Sequence, residues 1–200
     1  MNTSKITINE NNVGMDMAVI GGDSTSEISV RGGEMEFIFV PSKRRGFELV
    51  SKEQYKNTDA ELPYEDLVLP KRSTALAAGY DIISTKSFTL RPGQSIIIPT
   101  GFKAYMQPGE MLALYPRSGV GFKYEIQLAN TVGIGDGDYY NCESNEGHYM
   151  LKLVNRGSKF WTVKCGERIA QAIFMPILLA DGDSFEEGKI RIGGFGSTNK

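Results

Sequence analysis

Between Pro116 and Tyr139 the chain reads PRSGVGFKYEIQLANTVGIGDGDY, and the rest of the sequence can be interpreted outward from this stretch. Its beginning, residues 117–119 (Arg-Ser-Gly), brings a cation, a hydroxyl and an accessible backbone amide together in one turn. Its end carries two carboxylates, Asp136 and Asp138, followed by an aromatic ring. If the middle forms a β-hairpin, groups suited to phosphate at one end come within reach of a carboxylate at the other. This combination is the outline of a site that hydrolyses a nucleotide.

Short β-rich segments surround this stretch on both sides. They recur about every 8–12 residues and are separated by Pro/Gly turns such as 91–94 (RPGQ) and 107–110 (QPGE). Such spacing predicts an all-β sandwich or barrel. Helices are expected only as short pieces, around 51–56 or after Gly119.

The overall composition excludes several classes of partner. The chain has 200 residues, 40% of them hydrophobic, and a net charge of only −2, which gives no electrostatic footprint for nucleic acid or an anionic membrane. No apolar run approaches the roughly 20 residues of a membrane span, and the polar N-terminus does not resemble a signal peptide. We therefore expect a cytoplasmic protein whose partners are small molecules.

The rare residue types limit the available chemistry. The cysteines, Cys142 and Cys165, form no CxxC pattern, which favours ordinary reduced thiols over a zinc site. The single histidine, His148, argues against a His-based triad or a multi-His metal centre. Catalysis is therefore expected to depend on carboxylates, cations, hydroxyls and backbone amides.

The sequence predicts three segments. Residues 1–34 lack aromatic residues and are rich in small polar ones, which is typical of a poorly ordered arm or a small β appendage. The composition changes at 35–40 (MEFIFV), where we expect the first strand of a β-barrel domain covering 35–185. Residues 186–200 are glycine-rich and are predicted to be a mobile arm.

Five motifs in the chain closely resemble those of the trimeric dUTPases (deoxyuridine triphosphatases). The resemblance covers about residues 44–199, and the order and spacing of the motifs make it specific. It implies a jelly-roll-like β-barrel, a homotrimer with active sites between subunits, and Mg²⁺-dependent hydrolysis of dUTP to dUMP and pyrophosphate. The motifs are AAGYDI (77–82), PRSG (116–119), NTVGIGDGDY (130–139), GERIAQ (166–171) and GGFGST (193–198).

Two carboxylates receive roles from this resemblance. Asp136 is the expected general base, activating the water that attacks the α-phosphate; by itself, an Asp between two glycines is also good turn chemistry. Asp81 is expected to reach Mg²⁺ through water, with a purely structural role as the alternative. For Asp138 we favour a structural role over that of a second carboxylate on the strand face of Asp136.

The phosphate contacts are expected in two motifs. The resemblance places Arg117, Ser118 and Gly119 on the phosphates, where they supply forked donors, a hydroxyl and close backbone approach. It makes Gln171 a further phosphate contact, although this side chain could instead be a buried amide that satisfies the backbone. Arg168 is expected to form a structural ion pair.

The hairpin is expected to recognise the nucleoside. Asn130 and the backbone at Gly133 and Ile134 would offer uracil the donors and acceptors of a pairing partner. Tyr139 is the ring expected against the deoxyribose, where it would clash with a 2′-hydroxyl. A core tyrosine is the alternative.

The C-terminal motif is expected to close over the substrate. Gly196 and Ser197 suit an anion nest, and Phe195 suits stacking on uracil. Arg191 stands only one residue before the paired glycines, whereas the family usually has two residues between them, so its expected γ-phosphate contact departs from the pattern.

Two further departures concern the region around the third motif. Gly135 stands where the family commonly has a bulkier apolar residue, which predicts a looser hairpin. Residues 140–148 are longer than the family's minimal link and read as an insertion. The insertion resembles variants in Gram-positive bacteria and their phages, so the chain could be phage-encoded and act in a host cytoplasm.

Two rival functions follow from the same residues. A dCTP deaminase shares the family fold but needs a deaminating glutamate in the hairpin region, and the run GDGDY (135–139) fits the hydrolase better. Alternatively, the chain could be a nucleotide-gated regulatory binding protein. Residues 1–34 and 140–148 would then be the surfaces for a protein partner.

Overall fold

The computed structural model of the protein describes the backbone of residues 7–8, 24–31 and 34–41, and both backbone and side chains of residues 43–183. The chain divides into two compact units, Met1–Arg44 and Arg45–Lys200. In the first unit, three strands form an antiparallel sheet in the order β1-β3-β2: β1 (Thr7–Ile8), β2 (Ser24–Arg31) and β3 (Glu34–Pro41). The strand expected at 35–40 is therefore present as β3, and it pairs within the first unit.

The regular secondary structure in the described part of the second unit is mostly strand. The strands pair in the orders β10-β12-β7, β11-β9-β14-β5, β13-β6 and β4-β8, all antiparallel. The predicted all-β architecture is thus confirmed. The strands are β4 (Gly46–Leu49), β5 (Tyr80–Ile83), β6 (Phe88–Leu90), β7 (Ser95–Pro99), β8 (Phe102–Tyr105), β9 (Glu110–Pro116), β10 (Ile126–Leu128), β11 (Gly133–Gly135), β12 (Met150–Asn155), β13 (Trp161–Val163) and β14 (Arg168–Pro176).

The Pro-Gly turns form because their residues match one turn type. In 91–94 and 107–110, the fourth residue donates its N–H to the carbonyl oxygen of the first, at 3.0 and 3.1 Å. The third residue of each is a glycine, with φ of 80° and 82°. Proline before a glycine of positive φ is the signature of a type II turn, so both predicted turns are confirmed.

Two short α-helices interrupt the strands, both where helix was expected. α1 (Lys52–Lys56) begins at Ser51, whose side chain accepts the backbone N–H of Gln54 at 3.1 Å as an N-cap. α2 (Ser118–Tyr124) follows β9 directly and ends at Glu125, which has a left-handed φ of 54°. Among the described residues, no helix is long and apolar enough to cross a membrane.

The core is formed by apolar side chains of the strands, which alternate with exposed ones in short strands such as β10 but are buried consecutively in β9, at residues 112–114. Leu151 on β12 pairs with Ile98 on β7, and both are fully buried. Phe102 on β8 packs edge-on against Phe47 on β4, with the ring centroids 5.3 Å apart. These contacts fix the positions of the strand ends, from which the site residues project.

Candidate functional site

One end of the sheet β11-β9-β14-β5 collects residues from three motifs. Gln171 on β14 lies opposite Tyr115 on β9 and opposite Asp81 on β5. Arg117 directly follows β9, and its N–H donates to the carbonyl oxygen of Ile169 on β14 at 3.3 Å. Strand register therefore brings together residues that lie far apart in the sequence.

Asp81 is held between two arginines at this sheet end. Its Oδ1 lies 3.0 Å from Nε of Arg117, and its Oδ2 lies 3.1 Å from Nη1 of Arg168. Ser73 also donates its hydroxyl to Oδ2, and the Asp81 side chain is only 14% exposed. The ion pair expected of Arg168 is thus present, and its partner is the carboxylate that the sequence assigned to a metal.

Gln171 satisfies the backbone and also faces a pocket. Its Nε2 donates to the carbonyl oxygen of Pro116 at 3.3 Å, and its Oε1 lies over Gly79. A Cβ at Gly79 would overlap that oxygen, which explains the glycine in the first motif. The bond to Pro116 therefore orients the amide where Gln171 lines the pocket.

The first pocket, which we call the arginine pocket, is open and has a volume of about 590 Å³. It contains the cation and hydroxyl of the PRSG motif and the amide of Gln171, beside the exposed ring of Phe122. α2 begins here, and the N–H groups of Val120 and Gly121 both donate to the carbonyl oxygen of Arg117 at 3.0 Å. The lining residues are Tyr115, Pro116, Arg117, Ser118, Gly121, Phe122, Gln171 and Ile173.

The second pocket, the hairpin pocket, has a volume of about 640 Å³, within the usual range for a small-molecule site. It lies where β10 and β11 flank the turn 129–132. Five of the predicted site residues line it together: Asn130, Gly133, Ile134, Asp136 and Tyr139. The remaining lining is mostly apolar, with Ile97, Leu114, Leu128, Tyr149 and Leu151 among its residues.

The two ends of the stretch 116–139 do not meet as expected. Its middle is not one hairpin, because α2 occupies its first part and only β10 and β11 flank a turn. β10 pairs with β12, whereas β11 pairs with β9. The arginine pocket and the hairpin pocket share no lining residue. The phosphate-type groups and Asp136 therefore belong to separate pockets of this chain.

The geometry after β11 also differs from the expected strand. Residues 137–139 form one turn of 3₁₀ helix that begins after Asp136. Asp138 therefore does not share a strand face with Asp136, because residues two apart point in different directions in a 3₁₀ turn. Tyr139 is 7% exposed, so it is a core residue that also lines the hairpin pocket.

Tyr149 fills the space that Gly135 leaves. Its ring lies where a side chain at 135 would be, since a Cβ there would come within 2.8 Å of the ring carbon Cζ. The ring stacks on Phe102, with centroids 5.5 Å apart, and meets Tyr139 edge-on at 5.3 Å. The sequence predicted a looser hairpin from Gly135, and in the structure the buried ring of Tyr149 occupies the place of the missing side chain.

We expect Gly135→Ala to lower the free energy of unfolding by about 1–3 kcal/mol, because the buried Tyr149 ring must move to admit a methyl group. Gly137→Ala is the matched control on the other side of Asp136. Its Cβ would meet only Cγ of Met106, at an ordinary 3.6 Å, so stability should change by less than about 0.5 kcal/mol. Chemical unfolding of both variants tests this, and equal stabilities would contradict the packing argument.

Some residues of the site were not predicted from the sequence, and some predicted ones lie outside the residues that the structure describes. Tyr149 could have been found from the alternation along β12, where residues 149, 151 and 153 face one side. Ser73 and the pairing of Arg168 with Asp81 carry no local signal, since they arise from strand register. Arg191, Phe195, Gly196 and Ser197 lie outside the described residues. In residues 43–183, no group of three or more His, Cys, Asp or Glu side chains could hold a metal ion.

Comparison with known proteins agrees with this architecture. The family model of dUTPase matches residues 65–199. Deoxyuridine 5'-triphosphate nucleotidohydrolase from Lactococcus lactis is 46% identical over 156 residues, covering 78% of this chain and 98% of that protein. The crystal structure of dUTPase from Streptococcus mutans has a TM-score of 0.57 and 43% identity, covering 68% of this chain and 99% of its own.

A more distant structure, the dUTPase of Staphylococcus bacteriophage 80alpha, shares the fold with a TM-score of 0.53 at 20% identity, covering 74% of this chain and 99% of that one. The predicted jelly-roll β fold is thereby confirmed. The family model spans well over half of the chain, and the Lactococcus relative is matched over nearly its whole length. By motifs, fold and relatives together, the chain belongs to the dUTPase family.

Proposed function

We propose that Asp136 is the general base in the hydrolysis of dUTP to dUMP and pyrophosphate, the activity of the family to which the chain belongs. The base takes a proton from the water that attacks the α-phosphate. The observation that supports this role is the position of Asp136 in the hairpin pocket, beside Asn130 and Tyr139. A carboxylate at the edge of a mostly apolar pocket is placed to act on a ligand bound there.

The nucleoside contacts of the proposal come from the same pocket. Asn130 and the backbone at Gly133 and Ile134 bind the uracil edge, since hydrogen-bonding groups that match one base leave other bases unpaired. The ring of Tyr139 lies against the deoxyribose. Its burial and its contact with Tyr149 give it a fixed position, which steric exclusion of a 2′-hydroxyl requires.

The phosphate contacts come from the arginine pocket. Arg117 and Ser118 supply a guanidinium and a hydroxyl, Gly119 supplies a backbone N–H, and Gln171 supplies an amide. Donors of this kind neutralise charge that develops on phosphate oxygens, and a fixed fork such as guanidinium does so with little reorganisation. Further contacts with the substrate come from the C-terminal arm, through Arg191, Phe195, Gly196 and Ser197.

Magnesium is part of the proposal, with Asp81 as the residue that reaches it through water. The donor set fits this role, because Oδ1 of Asp81 binds only Arg117 while Oδ2 binds both Arg168 and Ser73, which leaves a lone pair on Oδ1 for a water of the metal ion's shell. Mg²⁺ commonly takes one carboxylate, several waters and substrate phosphates. When bound, it supplies charge neutralisation on the triphosphate.

A homotrimer completes the proposed site. Since the hairpin pocket and the arginine pocket share no residue in one protomer, a neighbouring subunit brings one against the other. Exposed apolar side chains stand at both: Ile134 is 56% exposed in the first and Phe122 is 90% exposed in the second. The proposal places the reaction in the cytoplasm, where thiols such as the free Cys142 and Cys165 stay reduced.

Pyrophosphate release from dUTP, dTTP, dCTP and UTP tests the proposed recognition. We expect release from dUTP to exceed release from each of the others at least about 100-fold, since one misplaced polar group costs that much or more. Removing Mg²⁺ with EDTA should abolish release. Equal release from all four nucleotides would contradict the assigned pocket, and ammonia from dCTP would indicate a deaminase instead.

A further inference from the structure

The loop 140–148, read in the sequence as an insertion, closes over the hydroxyl end of Tyr139. The Tyr139 hydroxyl donates to the carbonyl oxygen of His148 at 2.9 Å. It accepts a hydrogen bond from Nδ2 of Asn145 at 2.8 Å. A phenol hydroxyl has one proton to donate. With that proton on the His148 carbonyl and the Asn145 amide on its oxygen, the orientation of the Tyr139 hydroxyl is defined.

Asn145 is itself fixed by its loop. Its Oδ1 accepts from the backbone N–H of Gly147 at 3.2 Å and from the thiol of Cys142 at 3.1 Å. Its Nδ2 also reaches the carbonyl oxygen of His148, at 3.3 Å. Because Oδ1 faces two donors, the NH₂ group must face Tyr139, and the amide cannot rotate without losing these contacts.

The loop is attached to the barrel at positions on both sides of Asn145. Glu146 accepts the backbone N–H of Ser51 at 2.9 Å and its hydroxyl at 2.5 Å. His148 is fully buried, and its Nε2 accepts the N–H of Gly101 at 2.8 Å. Burial lowers the pKa of His148 to about 4, so the ring is neutral and able to accept. Lys103 Nζ adds a bond of 2.6 Å to Oδ1 of Asn141.

Tyr139 also lines the hairpin pocket. The ring edge meets Tyr149, which also lines that pocket, at an interplanar angle of 82°. The ring is therefore held at its hydroxyl by Asn145 and at its side by Tyr149. The ring can exclude a bulkier ligand only if these two contacts keep it from moving aside.

We propose that Asn145 is a positioning residue that sets the sugar specificity of the enzyme by fixing the ring of Tyr139. The inference rests on the proposed contact between Tyr139 and the deoxyribose. When the amide is lost, the hydroxyl loses the hydrogen bond from Asn145 that complements its bond to the His148 carbonyl, and the ring can shift enough to admit a 2′-hydroxyl. A pocket that rejects an added hydroxyl by fit alone discriminates against it by about 100-fold. A partial loss of fit should therefore lower this discrimination by about tenfold.

The test compares kcat/KM for dUTP and UTP in Asn145→Ala and in Tyr139→Phe. Tyr139→Phe keeps the ring and removes only the bonded hydroxyl, so it remains informative if the loop of Asn145→Ala does not fold. Each variant should raise the UTP:dUTP ratio of kcat/KM about tenfold, and the double variant should raise it no further, because both changes break the same hydrogen bond.

Lys103→Met is the matched control, because it removes the tie between the barrel and Asn141 but leaves the Asn145–Tyr139 bond in place. It should lower the melting temperature without changing the UTP:dUTP ratio. If Asn145→Ala and Tyr139→Phe lower only the melting temperature and keep the wild-type ratio, the proposal is overturned. Tyr139→Leu then separates the two causes: an unchanged ratio also in this variant shows that Tyr139 does not contact the sugar.

Discussion

Asp136→Asn is expected to reduce kcat for dUTP hydrolysis by about 10²–10⁴, the usual cost of losing a general base. Asparagine has nearly the same size and keeps an oxygen at the same place, but it cannot take a proton from water at neutral pH. Pyrophosphate release under saturating dUTP measures the effect. Because the substrate contacts remain, dUTP should still bind, and calorimetric titration of the variant with dUTP should give a Kd close to that of the wild type.

Asp138→Asn is the control for this variant. It removes the carboxylate that lies two residues after Asp136, within the 3₁₀ turn that begins there. It should reduce kcat far less than Asp136→Asn does. A wild-type kcat in Asp136→Asn would refute the assignment of the base. A loss of dUTP binding together with kcat would instead assign Asp136 to substrate binding.

Two inactive variants are expected to restore each other's activity when they are produced in the same cell. Arg117→Ala damages the arginine pocket and should cost about 10²–10³ in rate, as for loss of one transition-state donor. Asp136→Asn damages the hairpin pocket. If each active site takes one pocket from each of two subunits, about one site in four in randomly mixed trimers combines the two intact pockets.

The expected result is therefore about a quarter of the wild-type rate per site from a mixture in which each component alone is nearly inactive. The control is the double variant Arg117→Ala/Asp136→Asn produced together with Asp136→Asn, in which no combination of chains contains an intact hairpin pocket. Light scattering of the same samples gives the number of subunits. Mixed assemblies that stay inactive would show that each site is built from one subunit.

Local sequence signals predicted most of the fold because they act within a few residues. The turns at 91–94 and 107–110 follow from proline and glycine at fixed positions, and they formed as expected. The short helix after Gly119 was also anticipated. Period-two alternation identified the first half of β12, where the exposed Lys152 lies between the buried Leu151 and Leu153, whereas the end of this strand is buried on both faces.

The arrangement of the site was less predictable, because it depends on which strands become neighbours. β10 and β11 follow each other in the chain but pair with different partners, and this separates Asp136 from Arg117. The contact of Tyr149 with Gly135 joins residues from different strands, so neither residue alone reveals it. The motifs predicted which residues carry the chemistry. The residues that hold them in place could be identified only from the three-dimensional structure.

The carboxylate of Asp81 has a consequence for how this protein can change over evolutionary time. Because its two oxygens pair with Arg117 and Arg168 at once, these three positions form one electrostatic unit drawn from three motifs. Replacing Asp81 alone leaves two guanidinium groups close together with no carboxylate between them. Replacing one arginine leaves the carboxylate paired with the other arginine only. The effects of substitutions here depend on one another. A change at one of these three positions is therefore expected to need a compensating change at another.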